Sequence, residues 1–235
     1  MKIPNAELFK HGKDMLLNTL FPEGNICHLC GQPMLFGSEI WLCSACETAL
    51  ENAFLSSAHQ SIFLDPMVPH SFAAFHYHSP VQELVHQLKY QSDSFAAAPL
   101  AEGMARVFGF TEDEALRRAE LLIPIPLHPR REKERGYNQA ALLGERLSSH
   151  IGLPQYPHAL SRIRHTRPQV KAQGRDRRLR NMIGAFEVAD IPSIYQKHIL
   201  LIDDVCTTGA TAIACAQVLL VCGAKQISLF TACRA

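Results

Sequence analysis

The chemistry of this chain is most visible at two adjacent acids, Asp203 and Asp204, in the stretch ILLIDDVCTTGAT at 199–211. The apolar residues before them form the continuous run expected of a strand that is buried on both faces. Acids at the carboxyl end of such a strand lie where open α/β sheets bind ligands. Because two neighbouring carboxylates are costly there without partners, the pair favours ribose hydroxyls as donors and Mg²⁺ as a cation.

The residues after the acids lead into a predicted helix and are mostly small or hydroxyl-bearing: Val205, Thr207, Thr208, Gly209, Ala210 and Thr211. Backbone N–H groups at a helix start lack intrahelical partners and suit a phosphate, and the threonine hydroxyls add donors. A buried strand followed by an ordinary N-capped helix is the structural alternative, and it accounts for one Asp and one Thr. It does not account for two acids and the TTGAT stretch in this order, so we predict a site for a ribose that carries a phosphate.

Four of the eight cysteines have the spacing of a zinc site: Cys27-x2-Cys30, twelve residues, then Cys43-x2-Cys46. Four thiolates complete a tetrahedral structural site without an open position, so a catalytic zinc is disfavoured. A redox pair and unrelated core cysteines are the alternatives, and two spaced pairs disfavour both. His28, inside the first pair, is interpreted as a bystander. The other cysteines have apolar neighbours and are predicted to be core residues: Cys206, Cys215, Cys222 and Cys233.

Positive charge is concentrated between residues 130 and 186. This region holds thirteen Lys or Arg and four acids, a net of +9, which leaves −8 for the rest of a chain whose net charge is +1. The asymmetry indicates a basic surface for phosphates or nucleic acid. A solvated, loop-rich face accounts for the charge equally well.

Two loops in and beside this basic region are predicted to contact phosphate. Residues 127–138 are expected to be a polar loop after a strand, and the residues predicted to bind pyrophosphate are Leu127, His128, Pro129 and Arg130. Cations of this loop can offset the charge on a leaving pyrophosphate, whereas Lys133 is expected to be solvent-exposed. Residues 165–184 are expected to form a mobile loop that closes on phosphates, with the candidate contacts Arg167, Gln169, Lys171 and Arg175.

Strands and helices alternate along the rest of the chain. Predicted strands cover 72–77, 121–126, 160–164, 185–188, 198–202 and 226–231, and predicted helices cover 99–107, 112–119, 140–151 and 209–222. A further helix begins after Ser79, because Pro80 suits a first helical position and an apolar stripe follows at Val81, Leu84, Val85 and Leu88. The alternation predicts an α/β fold with a mainly parallel sheet and flanking helices.

The predicted organisation has four parts: an N-terminal helix at 1–22, a four-cysteine zinc-finger module at 23–52, a connector at 53–71 and the α/β domain at 72–235. The sequence shows neither a secretory signal pattern nor a run of about 18 apolar residues. We therefore expect a cytoplasmic protein without membrane insertion.

Together these motifs resemble the ComF family of amidophosphoribosyltransferase-like competence proteins, also called ComFC. The matching pieces follow the family's order over about residues 25–235: CHLC…CSAC, PVQELVHQLKY, IPIPLHPRREKERGYNQA, RPQ…RDRRLRN…GAF and ILLIDDVCTTGAT. The resemblance implies a type I phosphoribosyltransferase domain with a Rossmann-like sheet, plus an N-terminal zinc finger. It also implies that 5-phosphoribosyl-1-pyrophosphate (PRPP) binds with Mg²⁺, with Asp203 and Asp204 on the ribose 2′ and 3′ hydroxyls as the catalytic acids. Residues 207–211 would cradle the 5′-phosphate, and Cys206 departs from the aliphatic or aromatic residue usual there.

The resemblance further implies a role in natural transformation, in which imported single-stranded DNA is handled in the cytoplasm. Three functions remain open and compatible. The protein is a phosphoribosyltransferase with an unknown acceptor, or a module that senses PRPP or a nucleotide without catalysis, or a weak, sequence-independent binder of single-stranded DNA. Expected partners are PRPP, single-stranded DNA and other cytoplasmic competence proteins, and a homodimer is left open.

Overall fold

The computed structural model describes residues 26–34, 42–56, 60–90, 94–164 and 184–235. The predicted N-terminal helix at 1–22 lies outside them. The strands are β1 Ser61–Ile62, β2 His70–His76, β3 Leu121–Pro124, β4 Leu160–Arg162, β5 Phe186–Val188, β6 His198–Cys206 and β7 Gln226–Arg234. The helices are α1 Ser44–Asn52, α2 Val81–Tyr90, α3 Ala97–Phe110, α4 Glu114–Arg117, α5 Pro129–Arg135, α6 Gln139–Ile151, α7 Ile191–Ile194 and α8 Ala210–Val221, with a 3-10 turn at Ser94–Ala96 before α3.

A five-stranded sheet in the order β1-β2-β7-β6-β3 forms the centre of the fold. The strands β2, β7, β6 and β3 are parallel, and only the short edge strand β1 is antiparallel to its neighbour. The predicted α/β fold with a mainly parallel sheet and flanking helices is therefore confirmed. Because parallel strands end at one edge, the segments after β2, β3, β6 and β7 all emerge on the same side of the molecule. The strands β4 and β5 pair separately as a two-stranded antiparallel ribbon.

Apolar side chains cover both faces of the sheet, as expected of parallel strands. On one face, α2, α3 and α6 pack over residues such as Phe72 and Phe230, and on the other α8 packs over residues such as Ile199 and Leu201. The first core continues into the cysteine-containing segment, since Cys27 and Leu50 are buried in the same cluster. That segment therefore packs directly on the α/β domain. Within residues 53–71, expected as a connector, the structure places β1 and the first residues of β2.

Three local expectations change in the structure. The polar loop expected at 127–138 is wrong over Pro129–Arg135, where α5 forms. Pro129 occupies the first turn, the side chain of His128 accepts the N–H of Arg130, and Gly136 closes the helix at φ 84°. These terminal signals suffice for a short helix that buries none of its residues. The strands β6 and β7 also extend beyond their predicted ends, to Cys206 and Arg234, because their pairing continues to that point.

The helix α3 packs closely against the sheet at Gly103, so a substitution there tests this contact. A Cβ on Gly103 would lie 2.2 Å from Cζ of Phe75, whose ring is buried. We predict that Gly103→Ala lowers the free energy of unfolding by about 1–3 kcal/mol, despite the gain in helix propensity. Urea denaturation measures the change.

The control is Gly109→Ala in the same helix, where a Cβ meets no atom within 4 Å. It should raise the free energy of unfolding by up to about 1 kcal/mol. Similar changes in the two variants would contradict the described contact between α3 and β2.

Candidate functional site

The two acids lie in the last part of β6, at the edge where the parallel strands end. Asp204 is only 6% exposed, and its Oδ2 lies 2.9 Å from Nζ of Lys89 on α2. Asp203 faces the side of α8, where its charge acts on Cys215, and its Oδ1 accepts the N–H of Asp204 at 2.9 Å. The regular strand geometry thus turns the acids toward opposite faces of the sheet and gives each a different environment.

Burial, and then the charge of Asp204, raise the pKa of Asp203 to about 7. The positive charge of Lys89 acts in the opposite direction but does not cancel these effects. Burial lowers the pKa of Lys89, but the charge and hydrogen bond of Asp204, together with the charges of Asp203 and Tyr77, outweigh burial and the pKa is raised. Carboxyl groups with shifted pKa values are frequent at binding sites. Here, hydroxyl donors or a divalent cation would favour the ionised form of Asp203.

The segment after the acids forms a small pocket at the start of α8. Its volume is about 40 Å³, and its lining includes the predicted residues Asp203, Val205, Thr207, Thr208, Gly209, Ala210 and Thr211. The helix begins at Ala210, so its N-cap is Gly209 at φ 71°. A glycine has no side chain to accept the first N–H groups of the helix, which leaves them available to an anion. A Cβ on Gly209 would also lie 2.6 Å from Cδ1 of Leu64.

The predicted pyrophosphate residues follow β3, the neighbour of β6, at the same edge of the sheet. Leu127 and His128 connect β3 to α5, and Pro129 and Arg130 form the first turn of that helix. β3 is hydrogen-bonded to β6, with the N–H of Ile125 donating to the carbonyl of Ile202 at 2.9 Å. A groove of about 950 Å³ runs from Leu127 and Pro129 along α6 to Arg162 of β4. As predicted, Lys133 is exposed.

The predicted mobile-loop residues Arg167, Gln169, Lys171 and Arg175 lie outside the described residues. The strands β4 and β5, which precede and follow that segment in the chain, pair with each other. Arg162 of β4 lies 5.5 Å over the ring of Phe186 and acts electrostatically on Asp203. Burial, and then the nearby Arg131, lower the pKa of Arg162.

Sequence reasoning missed Lys89. This lysine directly follows Leu88, the last residue of the predicted apolar stripe, and its type and position look like those of an ordinary solvated helix residue. Only the packing of α2 against β6 brings its ammonium to Asp204. A lysine at the carboxyl end of a helix gives no sequence signal of its own, since lysines are common there.

The four cysteines with zinc spacing come together. Their sulfur atoms all lie within 4.8 Å of one another, and the sulfurs of Cys30 and Cys43 are 3.8 Å apart. A tetrahedron with Zn–S bonds of about 2.3 Å has edges of about 3.8 Å, so the cluster fits such an ion. Gly31 at φ 71° donates its N–H to the carbonyl of Cys27 at 2.8 Å and closes the first knuckle. The cluster is consistent with a structural metal such as zinc.

The environment of Cys27 favours a thiolate. Burial alone raises the pKa of its thiol, but backbone N–H groups, chiefly those of Cys30 and Cys43, lower it to about 6. His28 belongs to none of the groups of potential metal ligands among the described residues, and its ring lies 4.9 Å from that of Phe95. Of the other cysteines, three are buried and one is half-buried, as predicted for core residues: Cys206, Cys215, Cys233 and Cys222.

Comparison with known proteins identifies relatives along most of the chain. No protein-family model matches it. The DNA utilization protein YhgH of Salmonella typhimurium is 30% identical over 223 residues, which cover 89% of this chain and 96% of that protein. The chain belongs to the ComF/YhgH family of competence and DNA utilization proteins. The resemblance to the ComF family inferred from the motifs is thereby confirmed.

Two other ComF/YhgH members match two thirds or more of this chain. Competence protein F of Haemophilus influenzae is 32% identical over 162 residues, or 68% of this chain and 70% of that protein. Competence protein ComFC of Bacillus subtilis is 30% identical over 212 residues, or 90% of this chain and 78% of that protein. Among the described residues, no helix has both the length and the apolar character needed to cross a membrane.

The cysteine cluster predicts a loss of metal on substitution. Cys27→Ser should reduce bound zinc from about one ion per chain to a small fraction, because the three remaining thiolates no longer complete the tetrahedron. Metal analysis of the purified protein measures this. Cys222→Ser, which changes a half-buried cysteine outside the cluster, should retain its zinc. Equal zinc contents in the two variants would refute the assignment.

The pKa of Asp203 predicts a pH-dependent gain in stability when its charge is removed. Because its folded pKa of about 7 exceeds the ordinary value of 3.8, the wild type loses stability as pH rises between these two values. Asp203→Asn lacks this loss. The free energy of unfolding of Asp203→Asn, relative to that of the wild type, should therefore increase from pH 5 to pH 7 and level off above pH 7.

Urea denaturation across this pH range measures the difference. The control, Glu187→Gln, removes an exposed carboxylate on β5 and should show no comparable growth of the difference with pH. A constant difference between wild type and Asp203→Asn would show that Asp203 titrates like a solvated acid.

Proposed function

We propose that this protein binds PRPP with Mg²⁺ at the edge of the sheet where β6 ends, and that it acts as a phosphoribosyltransferase-like protein of natural transformation. In this role it works on or with imported single-stranded DNA in the cytoplasm. The observation that supports the proposal most strongly is the combination of Asp203 and Asp204 with the Gly209-capped start of α8, within a single strand, loop and helix. This combination offers acceptors for ribose hydroxyls and donors for a phosphate at adjacent positions.

Each part of the ligand has a candidate partner. The two acids accept the ribose 2′ and 3′ hydroxyls, and the pocket at the start of α8 holds the 5′-phosphate through Thr207, Thr208, Gly209, Ala210 and Thr211. The pyrophosphate lies toward Leu127, His128, Pro129 and Arg130, where Mg²⁺ bound with PRPP neutralises part of its charge. Arg167, Gln169, Lys171 and Arg175 close over the phosphates.

In a transferase of this kind, a nucleophile of the acceptor attacks C1 of the ribose and pyrophosphate leaves. Such a reaction depends on orientation and on stabilisation of the leaving charge more than on a strong side-chain base. The arginines of α5, among them Arg130 and Arg131, are suited to that stabilisation. The same residues would also serve a module that senses PRPP or a nucleotide without catalysis, which is the second candidate function.

The DNA part of the proposal is supported by the relatives and by charge. Relatives over most of the chain carry the names DNA utilization protein and competence protein. The helix α5, whose residues Pro129 and Glu132 line the groove, carries the cations Arg130, Arg131, Lys133 and Arg135. Contacts from such cations to phosphates carry no base information, so binding to single-stranded DNA is weak and independent of sequence. Zinc held by Cys27, Cys30, Cys43 and Cys46 has a structural role in this proposal.

Calorimetric titration with PRPP and Mg²⁺ tests the central claim. The double variant Asp203→Ala/Asp204→Ala should lose affinity on the order of 100-fold, because the charge-assisted hydrogen bonds to the ribose are removed. Glu120→Ala, which removes an acid next to the start of β3 at the opposite edge of the sheet, should bind like the wild type. Unchanged affinity in the double variant would overturn the proposed function.

The same samples distinguish the enzyme from the sensing module. Pyrophosphate release is followed at saturating PRPP with nucleobases, nucleosides and single-stranded DNA as acceptors. Release that requires both acids identifies a transferase. Tight PRPP binding without release in the presence of any acceptor identifies the sensing module.

A further inference from the structure

The last turn of α2 is built against the acid pair. Nζ of Lys89 lies 2.9 Å from Oδ2 of Asp204, and the two side chains are only 24% and 9% exposed. An ion pair this sheltered from water costs desolvation on both sides, and removing one partner leaves the other charge buried and unpaired. Lys89 and Asp204 therefore constrain each other's position much more than a surface pair would.

The same turn is also fixed to the segment that follows α5. The carbonyl oxygen of Leu88 accepts the hydroxyl of Tyr137 at 2.9 Å and the side-chain amide of Gln139 at 3.3 Å. The guanidinium of Arg135 lies 5.4 Å over the ring of Tyr90. One turn of α2 thus contacts Asp204 on one side and, on the other, residues 135–139, which follow the candidate pyrophosphate residues in the chain.

Charge gives this turn a role in binding. PRPP is a polyanion, and two ionised acids at its ribose would repel it. Lys89 neutralises the charge of Asp204 from within the protein and leaves both carboxylates available as acceptors, because each carboxylate has more lone pairs than the ammonium occupies.

We propose that Lys89 is a positioning residue for the ribose site: it holds Asp204 in place, stays paired with it when PRPP binds, and links Asp204 through the last turn of α2 to residues 135–139, which follow the candidate pyrophosphate residues. This inference rests on the proposed function, since it concerns how the same site binds PRPP. Nothing in the chain's motifs assigns Lys89 a role, and it acts on the ligand through Asp204.

The pH dependence of PRPP binding measures the effect of the charge of Lys89 on the acids. Ribose hydroxyls donate stronger hydrogen bonds to the ionised form of Asp203 than to the protonated form, so PRPP affinity should fall as the pH drops below about 7. The titratable and charged groups that face Asp203 come from all the elements packed around it: Asp204 of β6, Lys89 of α2, Arg162 of β4, Cys215 of α8 and Cys233 of β7. Among these, Lys89 lowers the pKa of Asp203. Its removal should therefore move the pH midpoint of binding upward, which a purely structural lysine would not do.

The experiment is calorimetric titration of PRPP and Mg²⁺ between pH 6 and pH 9, with wild type, Lys89→Met and Lys89→Arg. Lys89→Met should lose at least about tenfold in affinity at pH 8, which corresponds to one charge-assisted hydrogen bond, and its pH midpoint should rise. Lys89→Arg keeps the charge and should keep the midpoint. The control is Lys225→Met, an exposed lysine before β7 at the opposite edge of the sheet, which should match the wild type in both respects.

A double-mutant cycle with Asp204→Asn separates action through Asp204 from direct contact with the ligand. In the Asp204→Asn background, Lys89→Met should change the affinity by less than twofold. Should Lys89→Met fail to fold, Lys89→Gln, which keeps a hydrogen-bond donor without charge, provides the same comparison.

The outcomes of the two proposals differ. If the wild type does not bind PRPP, the proposed function fails. If the wild type binds PRPP and Lys89→Met binds equally well with the same pH midpoint, the role of Lys89 fails alone. A full tenfold loss that persists in the Asp204→Asn background would also overturn it, because Lys89 would then contact the ligand itself.

Discussion

Two adjacent carboxylates at the end of a buried strand cost free energy unless positive charges or hydrogen-bond donors pair with them. The arrangement of the site follows from which groups do so. Asp204 is compensated inside the protein, by the ammonium of Lys89 at 2.9 Å. Asp203 is compensated less completely, by the N–H of Asp204, and its pKa is raised. The free protein therefore keeps a half-buried acid in an unfavourable state, and a ligand that brought hydroxyl donors or a divalent cation would relieve that cost.

The length of the central strands is part of the same arrangement. Because β6 and β7 remain paired as far as Cys206 and Arg234, both acids stay within regular strand geometry. Consecutive side chains then point to opposite faces, one toward α2 and one toward α8. The loop to α8 begins only after this point, and Gly209 lets the chain turn into the helix with its first N–H groups directed at the same edge. One ligand can thus contact the acids and the helix start together.

The cysteine module and the α/β domain share one core. Cys27 is buried in the cluster that also contains Phe75 and Met104, and the guanidinium of Arg106 on α3 lies 4.6 Å over the ring of Phe54 and pairs with Glu51. A metal at the four sulfurs would therefore stabilise a segment that packs against the back of α3, on the same side of the sheet as α2. This arrangement fits a structural role for the metal.

The sequence by itself determined the features that depend on short-range patterns. The alternation of strands and helices predicted the mainly parallel α/β fold, the two C-x-x-C pairs predicted the four-sulfur cluster, and the acids with the TTGAT stretch predicted a strand, loop and helix start. Each follows from interactions between residues close in the chain, such as knuckle turns, helix ends and buried apolar runs.

Tertiary structure decided what depends on distant packing. The pairing of Lys89 with Asp204 joins residues far apart in the chain, the continuation of β6 beyond residue 202 needed β7 as a partner, and the raised pKa of Asp203 needed the burial that both sides of the sheet supply. The helix α5 was predicted as part of a polar loop because its residues form no apolar stripe, and the structure shows that Pro129 and Gly136 delimit a helix there.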